Sequence, residues 1–293
     1  MDGDKVTVIV LNYKTYSKTE ECIQSLIKKG GFYNLIVIDN DNISLEFNLM
    51  KDRYKEYPSI YFISSNLNLG YAKGNNFGIK WAESNNLLGD YIAIVNNDII
   101  LSNDFSFDKL TEEYKQQSDI AVVSPKIIQT DTNLMQGPYN KETLLKNVFE
   151  ALFPFFIPLR IRKEQKWRQN IKTTQRVYRT MGSFLIIKKN LFKQIGYFDE
   201  NTFLGSEEDI LAEKFRAINK YFYFSPENTV YHNHGFTTST INSDIINEYF
   251  TNSKLYFCKE YLKYNAVQLQ VMQSTCKIRL FWLSLNIKLK KLL

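Results

Sequence analysis

Histidine, cysteine and long apolar runs are the scarce features of this 293-residue chain. Its three cysteines, Cys22, Cys258 and Cys276, are odd in number and widely spaced. That excludes a disulfide scaffold and the paired-ligand spacing of a zinc site, and sparse cysteine is the usage of a reducing compartment. The only histidines are His232 and His234. No stretch approaches the roughly 18 apolar residues that a bilayer span requires. The N-terminus, Met1-Asp2-Gly3-Asp4, is acidic and lacks the pattern of a secretory signal. A cytoplasmic protein is therefore expected. There is no internal repeat and no disordered linker. Apolar and charged fractions of 44% and 23% are ordinary for a globular chain, long enough for one large domain or one domain with an extension.

What is present is unevenly placed. From Lys254 onward eight Lys/Arg face one acid, Glu260, so the remainder of the +6 chain is close to neutral. Within that remainder Arg160, Arg162, Lys163, Lys166, Arg168, Lys172, Arg176 and Arg179 cluster against Glu164 alone. These are two basic patches rather than a general basic coat. Tyr and Phe are abundant, at 19 and 21. They suit a sugar- or lipid-contacting surface, although an Asn- and Lys-rich composition raises aromatics as well.

The first 130 residues alternate strand and helix patterns. Strands are read at 5–10, 35–39, 60–63, 91–96 and 120–123, with helices at 17–29 and 75–84. Ser17 and Glu20 have capping-box spacing, and Gly30 closes that helix. Continuous apolar runs read as strands buried on both faces, so the alternation predicts a parallel α/β sheet. Residues 131–180 break the rhythm with an apolar block at 148–159 and the basic cluster. The pattern then resumes with a strand at 182–187, a helix at 207–219 and short strands at 221–224 and 229–232. From Asp244 onward it is helical and basic.

Chemistry is expected beyond the carboxyl ends of the strands, where ligands of such sheets bind. Two strands end in polar groups, one at Asp39 and one at Asn96-Asn97-Asp98. The latter offers oxygen ligands for Mg2+ or Mn2+, with one carboxylate, so a nucleotide diphosphate and water would supply the rest. Asn and Asp also favour plain turns. The segment from Asn68 to Gly78, with Gly70, Gly74 and Asn75, reads as a Gly/Asn loop feeding a helix N-terminus, which permits close approach of a phosphate and equally an ordinary turn. Glu207-Glu208-Asp209 opens a helix. The acids suit the macrodipole there, and mutual repulsion can raise one pKa into the range of a general base. His232 and His234 at a strand end suggest a metal or phosphate contact.

Together these segments resemble the inverting family 2 glycosyltransferases of the GT-A fold, especially the rhamnosyltransferase-like branch of bacterial surface-polysaccharide synthesis. The resemblance runs over residues 6–239. Val8-Ile9-Val10-Leu11-Asn12-Tyr13 matches the family's first strand and turn, and Asp39-Asn40 its nucleotide-facing acid. Residues 68–78 match its Asn-x-Gly-x-Ala-x-Gly-x-Asn segment, Asn96-Asn97-Asp98 its metal motif, and residues 182–199 its acceptor-side segment. Asn96 stands where the family has its first acid. The family's base is the Asp of Glu-Asp; its spacing to the metal-site histidine, 24 residues, falls here on Glu208, with Asp209 next in line.

The resemblance implies an α/β GT-A fold, a mostly parallel sheet flanked by helices, over residues 1–240. The nucleotide-sugar half would be 1–130 and the acceptor half 131–240, with a basic helical tail at 241–293. It implies transfer with inversion from a UDP- or dTDP-linked sugar to a glycan or polyprenyl-linked acceptor. Asn12, Asp39, Asn68, Gly70, Gly74, Asn75 and Asn96 would bind the donor, Asp98 and His232 a divalent cation, and Glu208 or Asp209 would be the base. No nucleic-acid partner is expected. The rivals are a sugar-nucleotide pyrophosphorylase, disfavoured because Asn12-Tyr13-Lys14-Thr15 replaces its basic glycine loop, and a non-catalytic glycan-binding scaffold.

Two segments point to an anionic membrane surface, namely 278–289 flanked by Lys277, Arg279, Lys288, Lys290 and Lys291, and 153–159 followed by Arg160 and Arg162. An interfacial helix gains about 1 kcal/mol per cation at such a surface. Packing on the main domain or at a homodimer interface would use the same apolar residues.

Overall fold

The computed structural model describes residues 4–42, 44–233 and 243–292; His234 lies outside them. Four strands, β1 (Val6–Asn12), β2 (Asn34–Asp39), β3 (Ile60–Ser64) and β4 (Tyr91–Asn96), run parallel in the order β3-β2-β1-β4. Helices α1 (Tyr16–Lys29), α2 (Leu45–Arg53) and α3 (Gly70–Ser84) make the connections. Alternate side chains of each strand enter different cores. Val6, Val8 and Val10 join Leu35 and Val37 on one face, while Ile9, Ile36 and Ile38 meet α3 on the other. Burial on both faces is why these strands read as unbroken apolar runs.

The second half mixes directions. Its elements are β5 (Ile99–Leu101), α4 (Phe107–Gln116), β6 (Ile120–Gln129), α5 (Leu144–Leu152), α6 (Ile157–Gln169), β7 (Gln175–Val177), β8 (Phe184–Lys188), α7 (Lys189–Gln194), α8 (Glu207–Arg216) and β9 (Tyr221–His232). β8 inserts antiparallel between β4 and β6, β9 runs parallel to β6, and β5 and β7 pair antiparallel with β9. Two helices, Ser243–Glu260 and Ala266–Leu292, complete the described chain.

Three local expectations are corrected. Helix α1 is preceded by Thr15 with no side-chain cap, and Ser17 lies inside it, so the capping box does not form. Helix α3 begins at Gly70, not near residue 75, so most of the Gly/Asn segment is helix. Glycine and asparagine are weak helix formers, but packing against β1 and β2 overrides that preference. The short strands at 221–224 and 229–232 are one strand with a register irregularity opposite Pro125 and Lys126. Helix α4 and strand β5 went unread.

Gly70 shows why the residue type matters. Its φ is +76°, and a Cβ there would lie 2.4 Å from the Phe203 carbonyl oxygen. Tyr71 N–H donates to that same oxygen at 2.9 Å, fastening α3 to the loop before α8. Gly70→Ala is expected to cost roughly 2–4 kcal/mol, combining left-handed strain with overpacking. Chemical denaturation of the variant checks this, and unchanged stability would mean that the Phe203 backbone yields freely.

Candidate active site

The first cluster forms at the ends of β1, β2 and β4. Asn12 Nδ2 donates to Asp39 Oδ1 at 2.9 Å. The Asn12 Oδ1 accepts from Thr19 Oγ1 at 2.8 Å and from Asn97 Nδ2 at 3.3 Å, and Asn97 also donates to Thr15 and Thr19. Asn97 thus turns its side-chain amide to this network. Burial, reinforced by the charge of Asp41 and opposed by hydrogen bonds from Asn12 and Tyr16, pushes the Asp39 carboxyl up to about 6. Asn40 ties the next turn together. Its Oδ1 accepts from Leu69 N–H, and its Nδ2 donates to Asn68 Oδ1 and the Gly70 carbonyl.

The glycines and asparagines of α3 have specific neighbours. A Cβ on Gly74 would meet Leu11 at 2.8 Å and Asn40 at 3.2 Å. The chain's own packing therefore accounts for both Gly70 and Gly74. Asn75 donates to the Tyr71 carbonyl, while its buried Oδ1 accepts nothing among the described residues. Asn76, not singled out from the sequence, bonds Phe198 in both directions and Glu200, joining α3 to the segment after α7.

The second cluster lines a cavity of about 610 Å³. Asn96, Asp98, His232, Glu208 and Asp209 all border it, together with Gly182 and Ser183. Sheet pairing brings them together. β8 holds Ser183 beside Asn96, whose N–H donates to the Ser183 carbonyl at 2.9 Å, and β9 pairs His232 with Ile99 next to Asp98. Asn12, Asp39, Asn68, Gly70, Gly74 and Asn75 lie outside this cavity lining. Asn12 and Asp39 end strands one and two places from β4, on the order of 5–10 Å at sheet spacing, and the other four lie in or just before α3.

Asp98 and His232 are buried, with His232 Nε2 3.1 Å from Asp98 Oδ1. His232 Nδ1 lies 2.6 Å from Gln136 Oε1, an oxygen that can only accept. With the proton on Nδ1, Nε2 would present its lone pair on the side of Asp98. Two electron-pair donors at this separation fit a shared cation, because adjacent ligands of an octahedral ion at about 2.1 Å lie about 3 Å apart. Among the described residues no third His, Cys, Asp or Glu joins them.

The three acids of α8 separate by environment. Ser206, with φ +66°, turns the chain so that Glu207 folds back to accept from Gly205 N–H at 2.8 Å. Burial, then the charges of Glu208 and Asp209, push Glu207 up to about 8. The raised carboxyl expected of this triplet is thus Glu207, in neither of the two candidate base positions. Asp209 is buried and takes the Arg179 guanidinium at 2.6 Å. Arg179 also lies over the Tyr139 ring at 4.3 Å. Glu208 is the half-buried member; one oxygen accepts from Gly182 N–H at 2.8 Å.

Sequence reading missed Gln136, Tyr139 and Arg179. The first two fall in the stretch where the rhythm broke, and Arg179 was counted only as one of a basic cluster. The last two helices also belong to the cavity, contributing Lys254, Met272, Arg279 and Leu283 to its wall.

A family described as Glycosyl transferase family 2 matches residues 7–204. Among curated relatives, the low-salt glycan biosynthesis hexosyltransferase Agl10 of Haloferax volcanii is 26% identical over 220 residues, 74% of this chain and 63% of its own length. Glycosyltransferase GlyA of Streptococcus pneumoniae is 27% identical over 233 residues, 75% of this chain and 30% of its own length. The chain therefore spans less than two thirds of either. Among solved structures, GalNAc-T7 with UDP, GalNAc and Mn2+ superposes with a TM-score of 0.61 at 14% identity, covering 94% of this chain and 54% of that one. The mannosyltransferase PcManGT of Pyrobaculum calidifontis, with GDP-Man and Mn2+, gives 0.54 at 12% identity, covering 93% and 69%.

A buried carboxyl held at about 6 instead of its ordinary 3.8 destabilises the folded chain once ionised. At low pH Asp39 is protonated in both folded and unfolded chains. Its penalty grows as pH rises from about 4 to 6 and is constant above that. Asp39→Asn is therefore expected to gain on the order of 1–3 kcal/mol of stability at pH 7 and almost nothing below pH 4. Urea denaturation at both pH values checks this. A variant gain that does not change with pH would assign the cost to something other than ionisation.

Proposed function

The chain belongs to glycosyl transferase family 2 and has the GT-A fold, and from that premise we propose that it is an inverting glycosyltransferase. It takes a nucleoside-diphosphate sugar, UDP- or dTDP-linked, and glycosylates a glycan or polyprenyl-linked acceptor in cell-surface polysaccharide synthesis, at the cytoplasmic face of the membrane. The observation that carries this reading is the single cavity holding Asp98, His232 and the half-buried Glu208. The relative named for glycan biosynthesis, the one named a glycosyltransferase, and the neighbours with bound UDP or GDP-Man support it.

In this reading Asp39 and Asn12 receive the base or ribose, and Asn68 and Asn75 border the donor. Asn96, Asp98 and His232 face the diphosphate. Asp98 and His232 would hold Mg2+ or Mn2+, with donor phosphates and water as the other ligands. When bound, that cation supplies Lewis-acid stabilisation of the departing diphosphate.

Glu208 is the base. It accepts the proton of the acceptor hydroxyl as that oxygen forms its bond to the anomeric carbon. The bond from that carbon to the diphosphate breaks on the opposite face, so the configuration inverts. Asp209 is poorly placed for this role because Arg179 already occupies a carboxylate oxygen. The Gly182 N–H fixes the Glu208 side chain and leaves its second oxygen available. Gly182 suits this contact, since a Cβ there would fall 2.4 Å from Glu208 Oε1.

Glu208→Gln preserves size but cannot take a proton. It is expected to lower turnover roughly 10²- to 10⁴-fold with donor affinity unchanged. Asp209→Asn leaves Arg179 without its partner and is expected to cost about 3 kcal/mol of stability. If Asp209→Asn keeps its melting temperature yet loses more turnover than Glu208→Gln, the base is Asp209. A product with retained anomeric configuration by NMR would remove the in-line reaction altogether.

Asp98→Ala is expected to lower transfer by about 10²-fold or more and to abolish its stimulation by Mn2+, while the circular dichroism spectrum is unchanged. Wild-type turnover in this variant would place the diphosphate elsewhere. No nucleotide-sugar turnover by the wild-type chain under any metal would favour the non-catalytic alternative.

A further inference from the structure

We propose that the α5–α6 turn, with the outer side of the last helix, is a docking face for an anionic lipid bilayer. The turn carries four phenylalanines in mutual contact. Phe149, Phe153, Phe155 and Phe156 have ring centroids 4.6–6.1 Å apart. All four are exposed, Phe155 by 69%, and Leu152 and Leu159 beside them by 51% each. A contiguous apolar surface of this kind normally meets a partner.

The charges on the same two helices select the partner. Both acids of residues 144–166 are engaged internally. Glu150 is buried, 2.9 Å from Arg160 and 3.2 Å from Arg279. Glu164 takes Arg160 at 2.7 Å and Arg168 at 3.4 Å. The exposed charges that remain, Arg162, Lys163 and Lys166, are all cations. An aromatic surface continuous with unopposed cations matches an acyl–headgroup boundary with negative lipids. A second copy of this chain matches it less well, because a two-fold pairing of the face brings cations against cations.

The face is also joined to the cavity. Trp282 Nε1 donates to the Ala151 carbonyl at 3.1 Å, and Arg279 reaches Glu150, so the last helix lies against α5. That helix exposes Phe281 and Leu283, and Leu283 at the same time lines the cavity. A bilayer in contact with the aromatic turn therefore lies beside the cavity wall. There an acceptor sugar can enter while its lipid stays in the membrane. This last step rests on the transferase reading; the docking itself does not.

Flotation of the full chain with phosphatidylglycerol-containing and pure phosphatidylcholine vesicles tests the proposal. Binding is expected to anionic vesicles at low salt, with about tenfold less on phosphatidylcholine or at high salt. Two double variants, Phe155→Ser with Phe156→Ser and Arg162→Glu with Lys163→Glu, should each lose about tenfold in vesicle binding. Melting temperature and donor hydrolysis should be unchanged, since none of these residues lines the cavity. Absence of salt-sensitive binding, or wild-type flotation by either double variant, overturns the proposal. So does a dimer in sedimentation that the Phe variant dissociates while the wild type ignores vesicles. Failure of flotation alongside intact transfer to a soluble acceptor would remove the docking face and leave the enzyme. Flotation by a chain inactive with every donor would do the reverse.

Discussion

The antiparallel insertion of β8 between β4 and β6 is the constraint on which the site depends. A purely parallel continuation would present another strand end beside Asn96. The reversed strand instead begins there, so Gly182 and Ser183 arrive at the tip of β4 as β8 starts. The Gly182 amide is thereby free of ladder pairing and available to Glu208. The same reversal leaves β6 to pair with β9, and β9 to carry His232 back alongside β5 to Asp98. One change of strand direction thus assembles groups from residues 96, 182, 208 and 232 around one cavity.

Electrostatics then separates the members of the acidic triplet. Side by side in sequence, Glu207, Glu208 and Asp209 have the same local chemistry and cannot be ranked by spacing alone. On a helix they point in different directions. Glu207 goes into the interior, where burial keeps it protonated near neutral pH, and Asp209 goes towards a guanidinium. With Glu207 held up by burial and Asp209 paired with Arg179, Glu208 is the member left half-buried at the cavity, bonded to the Gly182 N–H. That member is the proposed base, and the Gly182 that holds it and the Arg179 that pairs Asp209 lie more than 20 residues away in sequence.

This explains which parts were legible in the sequence. The buried parallel strands announce themselves because double-sided burial leaves little but Val, Ile and Leu, and their polar ends at Asp39 and Asn96 stand out against that background. The start of α3 was misread because Gly70 and Gly74 serve contacts with Phe203 and Leu11 that lie far along the chain or across the sheet. Spacing records which residues adjoin and not which way they face, so it did not show that the Asn97 amide turns to Asn12, Thr15 and Thr19. Gln136 and Arg179 were invisible for a related reason. They sit in a region without periodicity, and only tertiary packing delivers them to His232 and Asp209.

The polar groups at the strand ends also show what the fold gives up for this arrangement. A hydrophobic core would gain stability from an apolar residue at Asp39, and burial alone argues against an ionised carboxylate there. Hydrogen bonds from Asn12, itself held by Thr19 and Asn97, and from Tyr16 lower that cost, yet leave the carboxyl at about 6. In the proposed reading this carboxyl serves the donor and not the packing of the core. The orphaned Asn75 oxygen, buried one helical turn along α3 from Tyr71, fits the same account. Both leave hydrogen-bonding capacity beside the strand ends, the place where open α/β sheets bind their ligands.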